Sequence, residues 1–161
     1  MRRLLVALVL LALFSSAGLA NVVRGAPDFT WLTSGARGQS LKSLRGQPVV
    51  LIVAQSPTQR IFRSQVGQLQ KIYQLLGNTK AVTVAAFTQE PGVIKSNIPF
   101  VFAANPAAVA AAYDVTGPFA IFIIGKDGNL DALSNRVLPG QRILDIIDNS
   151  FVVQRDNRKS E

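Results

Sequence analysis

The sequence predicts an α/β domain with a mostly parallel sheet, helices on both of its faces, and a closing β-hairpin plus helix. Three observations predict it. Residues 48–54 (PVVLIVA), 80–87 (KAVTVAAF) and 119–124 (FAIFII) are continuous apolar runs, the pattern of strands buried on both faces. Segments with the 3.6-residue apolar period of helices alternate with these runs. Ser-Pro and Asn-Pro steps, which suit helix starts, open two of those segments. With 161 residues, 48% of them hydrophobic, the chain can bury one core of its own.

The first twenty residues stand apart from the fold. Arg2 and Arg3 make a short basic start, residues 4–14 an apolar core, and Gly18-Leu19-Ala20 a small-x-small exit. This is the layout of a secretory signal peptide cleaved after Ala20, and it predicts export to the periplasm or cell envelope. The alternative is an uncleaved N-terminal membrane anchor. The apolar run is shorter than the roughly 20 residues a bilayer span needs, so cleavage is the expectation, with no stable span afterwards. No cysteine follows the segment, which excludes a lipid-modified N-terminus. A single domain is then expected over residues 21–151, followed by a polar tail at 152–161.

Residues 21–46 are loop-rich, punctuated by Gly25, Pro27, Gly35, Gly38 and Gly46. After the first buried run, Ser56 is placed to cap a helix. Pro57 suits its first turn, and Gln59 stands where a capping box takes Glu or Gln. Phe62, Val66, Leu69, Tyr73 and Leu76 then form one apolar stripe, which Gly77 is expected to end as a C-terminal cap. Residues 80–87 make the second strand and 99–104 a short third one. Asn105-Pro106 opens an Ala-rich helix through Tyr113. Residues 119–124 are the fourth strand, 126–129 a tight turn, and 130–133 an antiparallel return. A last helix is expected from about Pro139 to Phe151, with Ile143, Ile146 and Ile147 on one side.

Composition removes several functions. Cysteine and histidine are both absent, so thiol chemistry, Ser-His triads and the common zinc sites are excluded, and no cofactor or metal is expected. The formal charge of +8 falls to +6 once Arg2 and Arg3 leave with the leader. The other basic residues are scattered, and two tyrosines and one tryptophan do not interleave with them, so no nucleic-acid binding is expected. Residues 127–138 superficially follow a calcium loop. Ala132 stands where that loop needs Gly and Leu138 where it needs a bidentate Glu, so this is a hairpin turn. Asp145 and Asp148 share a helix face that they solubilise. Ser56 and Thr58 lack any His or Ser-x-x-Lys spacing to activate them.

Four stretches in order carry a family resemblance: APDFTW (26–31), SLKSLRGQPVVLIV (40–53), FVFAANPAAVAAAYDV (100–115) and GPFAIFIIGKDGNL (117–130). Together they resemble the thioredoxin-like superfamily, in its peroxiredoxin and exported thiol-oxidoreductase branches. The resemblance implies a three-layer sandwich in which the helix after the central strand presents a Cys-x-x-Cys or a single peroxidatic Cys. A helix N-terminus lowers the pKa of such a thiol. Matching RSQVGQLQKIY to that helix puts Gln59 and Phe62 at the two Cys positions. On the peroxiredoxin pattern Phe62 takes the peroxidatic position and Gln59 that of the assisting Thr. The opposing loop, where the family carries a cis-Pro or an Arg, falls on Phe119, with Pro118 one residue early. Neither an amide nor a phenyl ring replaces a thiolate in disulfide exchange.

The resemblance therefore implies a degenerate redox site at Gln59, Phe62, Pro118 and Phe119. Phe62 and Phe119 are expected to face each other and fill the cleft, or else to line a shallow apolar groove for an extended peptide. Ser56, Thr58, Arg60 and Arg63 are the candidate binding residues, the two arginines with free backbone N–H groups making a possible anion site. The expected function is a redox-inactive binding or structural module of the envelope, its partner an extended peptide or an envelope protein. Two readings stay open beside it: a redoxin-type oxidoreductase acting by a non-cysteine route or with a partner, and an assembly or scaffolding protein.

Overall fold

In the computed structural model, residues 24–32 and 38–150 are described; the predicted leader and tail lie outside them. A small antiparallel hairpin, β1 (Thr30–Leu32) and β2 (Gly38–Ser40), precedes one 3-10 turn at Leu41–Leu44. The main sheet contains β3 (Val49–Ala54), β4 (Val82–Phe87), β5 (Phe100–Phe102), β6 (Phe119–Ile124) and β7 (Leu130–Ser134) in the order β5-β4-β3-β6-β7. Helices α1 (Arg60–Lys71), α2 (Tyr73–Asn78) and α4 (Gly140–Asp148) cover one face, and α3 (Pro106–Ala112) covers the other.

The continuous apolar runs become strands because the sheet is buried on both sides. All six residues of β3 and all six of β6 are buried. On β3, Val50 and Ile52 face the α1/α2/α4 layer, while Val49, Leu51 and Val53 face α3 and the N-terminal hairpin. The alternation follows from the two-residue period of a strand.

The sheet is mixed, where the sequence reading expected a mostly parallel one. β3, β4 and β5 run parallel, but β6 and β7 are antiparallel to their neighbours. The connection from β5 through the seven-residue α3 brings the chain back to the same end of the sheet. The chain re-enters at the end where β3 stops, with Phe119 opposite Ala54.

Other boundaries move for identifiable reasons. Residues 56–59 form a turn, closed by the Gln59 N–H donating to the Ser56 carbonyl at 3.3 Å, and the helix begins at Arg60 rather than being capped by Ser56. Ile72 breaks the long helix in two: its N–H bonds the Leu69 carbonyl three residues back, tightening the turn. The apolar stripe consequently passes through buried Ile72, and Tyr73 is 36% exposed. Gly77 lies inside α2 and is not its cap. Thr79 follows the helix, and Lys80 takes the left-handed conformation (φ 58°) that turns the chain into β4. On α4 it is Leu144 that joins Ile143 and Ile147 in the core, and Ile146 is half-buried. The Asn105 cap holds: its side-chain oxygen accepts from the Ala108 N–H at 3.0 Å.

Two contacts fix α4 against α1. Gln65, fully buried, donates from Nε2 to the Leu138 carbonyl (3.0 Å) and accepts from the Leu138 N–H (2.7 Å). Gly140 then lets the chain approach α1 closely, since a methyl group there would sit 2.6 Å from the Gln68 carbonyl oxygen and 2.8 Å from Ile72 Cγ2. Backbone cannot retreat from that contact as a flexible side chain would. Gly140→Ala is expected to lose about 1–3 kcal/mol by overpacking, read as a lower urea midpoint with an unchanged slope.

The N-terminal segment crosses the sheet as a strap. Gly25 bridges Asn129, and Leu130 donates to the Arg24 carbonyl at the β7 side. At the β5 side Trp31 bridges Ala103, and Ala104 donates to the Thr30 carbonyl. Between these ends the Tyr113 hydroxyl donates to the Pro27 carbonyl at 2.8 Å, its ring packed against Phe29 and Phe122.

Candidate functional site

The C-terminal end of β3, the start of α1 and the loop before β6 converge, and the candidate residues lie there. Gln59 is the central one. Its side-chain oxygen accepts from the Gln55 N–H at 3.1 Å, and its Nε2 donates to the Pro118 carbonyl at 3.2 Å. The amide thus joins the two loops that flank the site, satisfying one backbone donor and one backbone acceptor. It makes no cap hydrogen bond to α1, so the expected capping-box role is replaced by a tertiary one.

Phe62 is 1% exposed and Phe119 2% exposed. Both belong to the core on the α1 side of the sheet. They do not form the facing aromatic pair expected from the sequence. The Phe62 ring meets Phe87 edge-on at 5.0 Å and Phe100 at 6.2 Å. Pro118 is exposed, and its peptide bond is trans, as are all those among the described residues. The Ser56 and Thr58 hydroxyls hydrogen-bond each other at 3.0 Å. Arg60 and Arg63 are exposed at the start of α1, whose first turn holds no acidic residue.

Beside this point lies a groove of about 280 Å³, with Phe62, Arg63, Val66 and Gln70 of α1 on one wall and Val93, Ile94 and Lys95 on the other. Pro57 closes one end, packed so tightly on Gly92 that a methyl group on that glycine would lie 2.7 Å from Pro57 Cγ. The second wall has no signature in the sequence, because residues 91–95 have neither strand nor helix periodicity. A larger cleft of about 470 Å³ lies between residues 113–120 and the end of β7, on the other side of the opposing loop.

Burial shifts two titratable groups. The Tyr113 hydroxyl is pushed well above the usual tyrosine range by burial, with the Asp28 charge adding to the shift. The Asp131 carboxyl is raised from 3.8 to about 6, first by burial and then by the neighbouring Asp127 charge. One of its oxygens is buried with no hydrogen-bond partner, whereas Asp127 accepts from both the N–H and Nδ2 of Asn129. The folded state therefore holds the Asp131 proton more tightly than the unfolded state does. The stability that this proton contributes is greatest below pH 4, falls as pH rises from about 4 to 6, and is lost above that. Asp131→Asn is expected to flatten this slope and to stabilise the domain at pH 7 by about 1 kcal/mol, after allowance for screening of a half-exposed group. Denaturant melts of both proteins at pH 4 and pH 7 check it; an equal gap at both values would refute the assignment.

Among the described residues no group of three carboxylates is placed to hold a metal ion, and no helix is long and apolar enough to cross a membrane. No family model matches the sequence, and no curated protein sequence matches it. Solved structures do match. Thioredoxin peroxidase I of Plasmodium yoelii superposes with a TM-score of 0.62 at 16% identity, over 86% of this chain and 94% of its own. A thiol:disulfide interchange protein from Bacteroides gives 0.61 at 16% identity, over 77% and 86%. The fold is thioredoxin-like. The exposed lipoprotein thioredoxin of Streptococcus pneumoniae adds a TM-score of 0.57 at 17% identity, over 74% of this chain and 96% of its own. At these identities the likeness is one of fold. This thioredoxin-like chain contains no cysteine at any position, so none of its side chains carries a redox-active thiol.

Proposed function

We propose that this chain is a thioredoxin-like binding module of the cell envelope with no redox activity of its own. The observation that carries the reading is the Gln59 amide, which ties Gln55 to Pro118 across the place where the fold would present a thiol. Phe62, at the second such position, is sealed in the core. A thiol-disulfide enzyme needs a nucleophile with access to its substrate; here one position is a neutral amide engaged at both ends and the other is buried hydrocarbon. Export rests on the leader-like residues 1–20, and the domain behind them holds together without disulfides.

The test is a pair of assays on the purified protein, reduction of hydrogen peroxide and reduction of a protein disulfide with dithiothreitol as electron donor. Rates equal to buffer support the reading, and turnover above buffer overturns it. The envelope assignment is checked by N-terminal sequencing of protein from the native cell. A chain beginning at Asn21 supports cleavage and export, and an intact Met1 refutes cleavage.

A further inference from the structure

Residues 91–95 have an unusual combination of properties. They form no strand, helix, turn or bend, and none of their peptide groups makes a hydrogen bond among the described residues. They are nonetheless held in place. Ile94 packs against the core, Gly92 abuts Pro57, and Gln70 donates to Asn97 at 3.3 Å just beyond the segment. Backbone donors and acceptors in a fixed, unbent stretch are the feature that lets a sheet edge take up an extended peptide. The same stretch carries Val93, which is 85% exposed, the highest exposure of any large hydrophobic residue among the described ones.

The facing wall supplies the second half of a binding site. Val93 supplies the exposed apolar surface of the groove, above the almost fully buried Phe62 and Val66, with Arg63 and Lys95 exposed at its borders. Among the described residues no acidic side chain lines the groove; Glu90 is exposed ahead of the segment and its N–H is bonded to the Gln55 carbonyl. Among the described residues the two cations have no ion pair, in contrast to Arg24 with Asp114 and Lys42 with Asp28. From Phe62 to Gln70 the helix rises about 12 Å, and an extended chain advances about 3.3 Å per residue. The groove is therefore the length of three to four peptide residues, and its volume of about 280 Å³ is below the range for drug-sized ligands.

We infer that the groove between α1 and residues 91–95 binds a short extended peptide of acidic character, with one apolar side chain set against Val93. Its carboxylates pair with Arg63 and Lys95, and its backbone lies along residues 91–95. The inference rests on the binding-module reading and deepens it by naming the surface and the partner. Neither Pro118 nor Phe119 lines this surface.

The probe is a capped pentapeptide with a central leucine flanked by two glutamates on each side. Its comparison has lysine in place of every glutamate. Both are titrated into the isotopically labelled protein and followed by NMR. The acidic peptide is expected to shift the amides of residues 92–95 and of Arg63, Val66 and Gln70, and to bind at least tenfold more tightly than the lysine peptide. Raising salt from low to molar concentration is expected to weaken it. Arg63→Glu with Lys95→Glu, both at exposed positions, is expected to reduce binding more than tenfold with the melting temperature kept. Val93→Asp is expected to act in the same direction.

Absence of shifts at residues 92–95, equal binding of the two peptides, or shifts centred on Pro118 and Phe119 would each overturn the inference. The redox assays separate the two claims. No turnover and no peptide binding refutes only the groove assignment, while turnover together with binding at the groove refutes only the redox-inactive reading.

Discussion

Gln65→Leu is expected to destabilise the domain by about 2–5 kcal/mol, although leucine is the more hydrophobic residue and the site is fully buried. Gln65 exchanges two hydrogen bonds with one residue's backbone, donating to the Leu138 carbonyl and accepting from the Leu138 N–H. Leucine removes both and leaves a buried backbone donor and acceptor, each costing about 1–3 kcal/mol when unsatisfied. The apolar gain of a leucine side chain offsets only part of that. The prediction is checked by urea unfolding, read as a lower midpoint, and by amide exchange. Because the clamp holds the approach to α4, protection in Gly140–Asp148 should fall before protection in β3 does. A stable Gln65→Leu protein with unchanged exchange in α4 would show that the hydrogen bonds are replaceable.

Phe62→Ala should lose about 3–5 kcal/mol, the usual range for truncating a buried phenylalanine. The ring is 1% exposed and packs on Phe87 and Phe100, so its removal leaves a void that β4 and β5 cannot both close. At about 2–4 °C per kcal/mol for a chain of this size, the melting temperature falls by roughly 6–20 °C. The contrast with Val93→Asp is informative. That change touches the same groove from its exposed rim and should leave the melting temperature almost unaltered. If Phe62→Ala melts like the wild type, the residue does not fill the core and the site is open.

The strands were legible because a sheet covered on both faces writes itself as unbroken apolar runs. Residues 49–54 and 119–124 needed no context to be read. Asn105 was legible too, since its cap partner is three residues away. What escaped was whatever depends on a distant partner. Gln59 has the sequence position of a capping-box residue, but the Pro118 carbonyl, 59 residues further on, takes its amide instead. Gln65 lies between Phe62 and Leu69 on the apolar face of α1, a polar residue on the wrong side. That misplacement was the available signal for the clamp.

The direction of β6 was equally out of reach, because it depends on the end of the sheet at which the chain re-enters after α3 rather than on the residues of β6. Gln59 and Pro118 do meet in space. Gln59 is a structural tie there, and the groove beside α1 is walled by a segment with no periodicity to detect.

The strap at the N-terminus has a bearing on how the molecule is made. Arg24 and Gly25 find their partners at Asn129 and Leu130, about a hundred residues later in the chain. Trp31, almost completely buried, waits for Ala103. The earliest described segment to leave a ribosome is thus among the last whose contacts can form. Native pairings of such high sequence separation slow folding, because loop closure must precede any gain. Until residues 103–113 are synthesised, Trp31 and Phe29 lack the partners they pack against. The interval between the first and last strands is a period in which the unfinished chain presents its stickiest residues, and folding speed here is set by the wait for its far end.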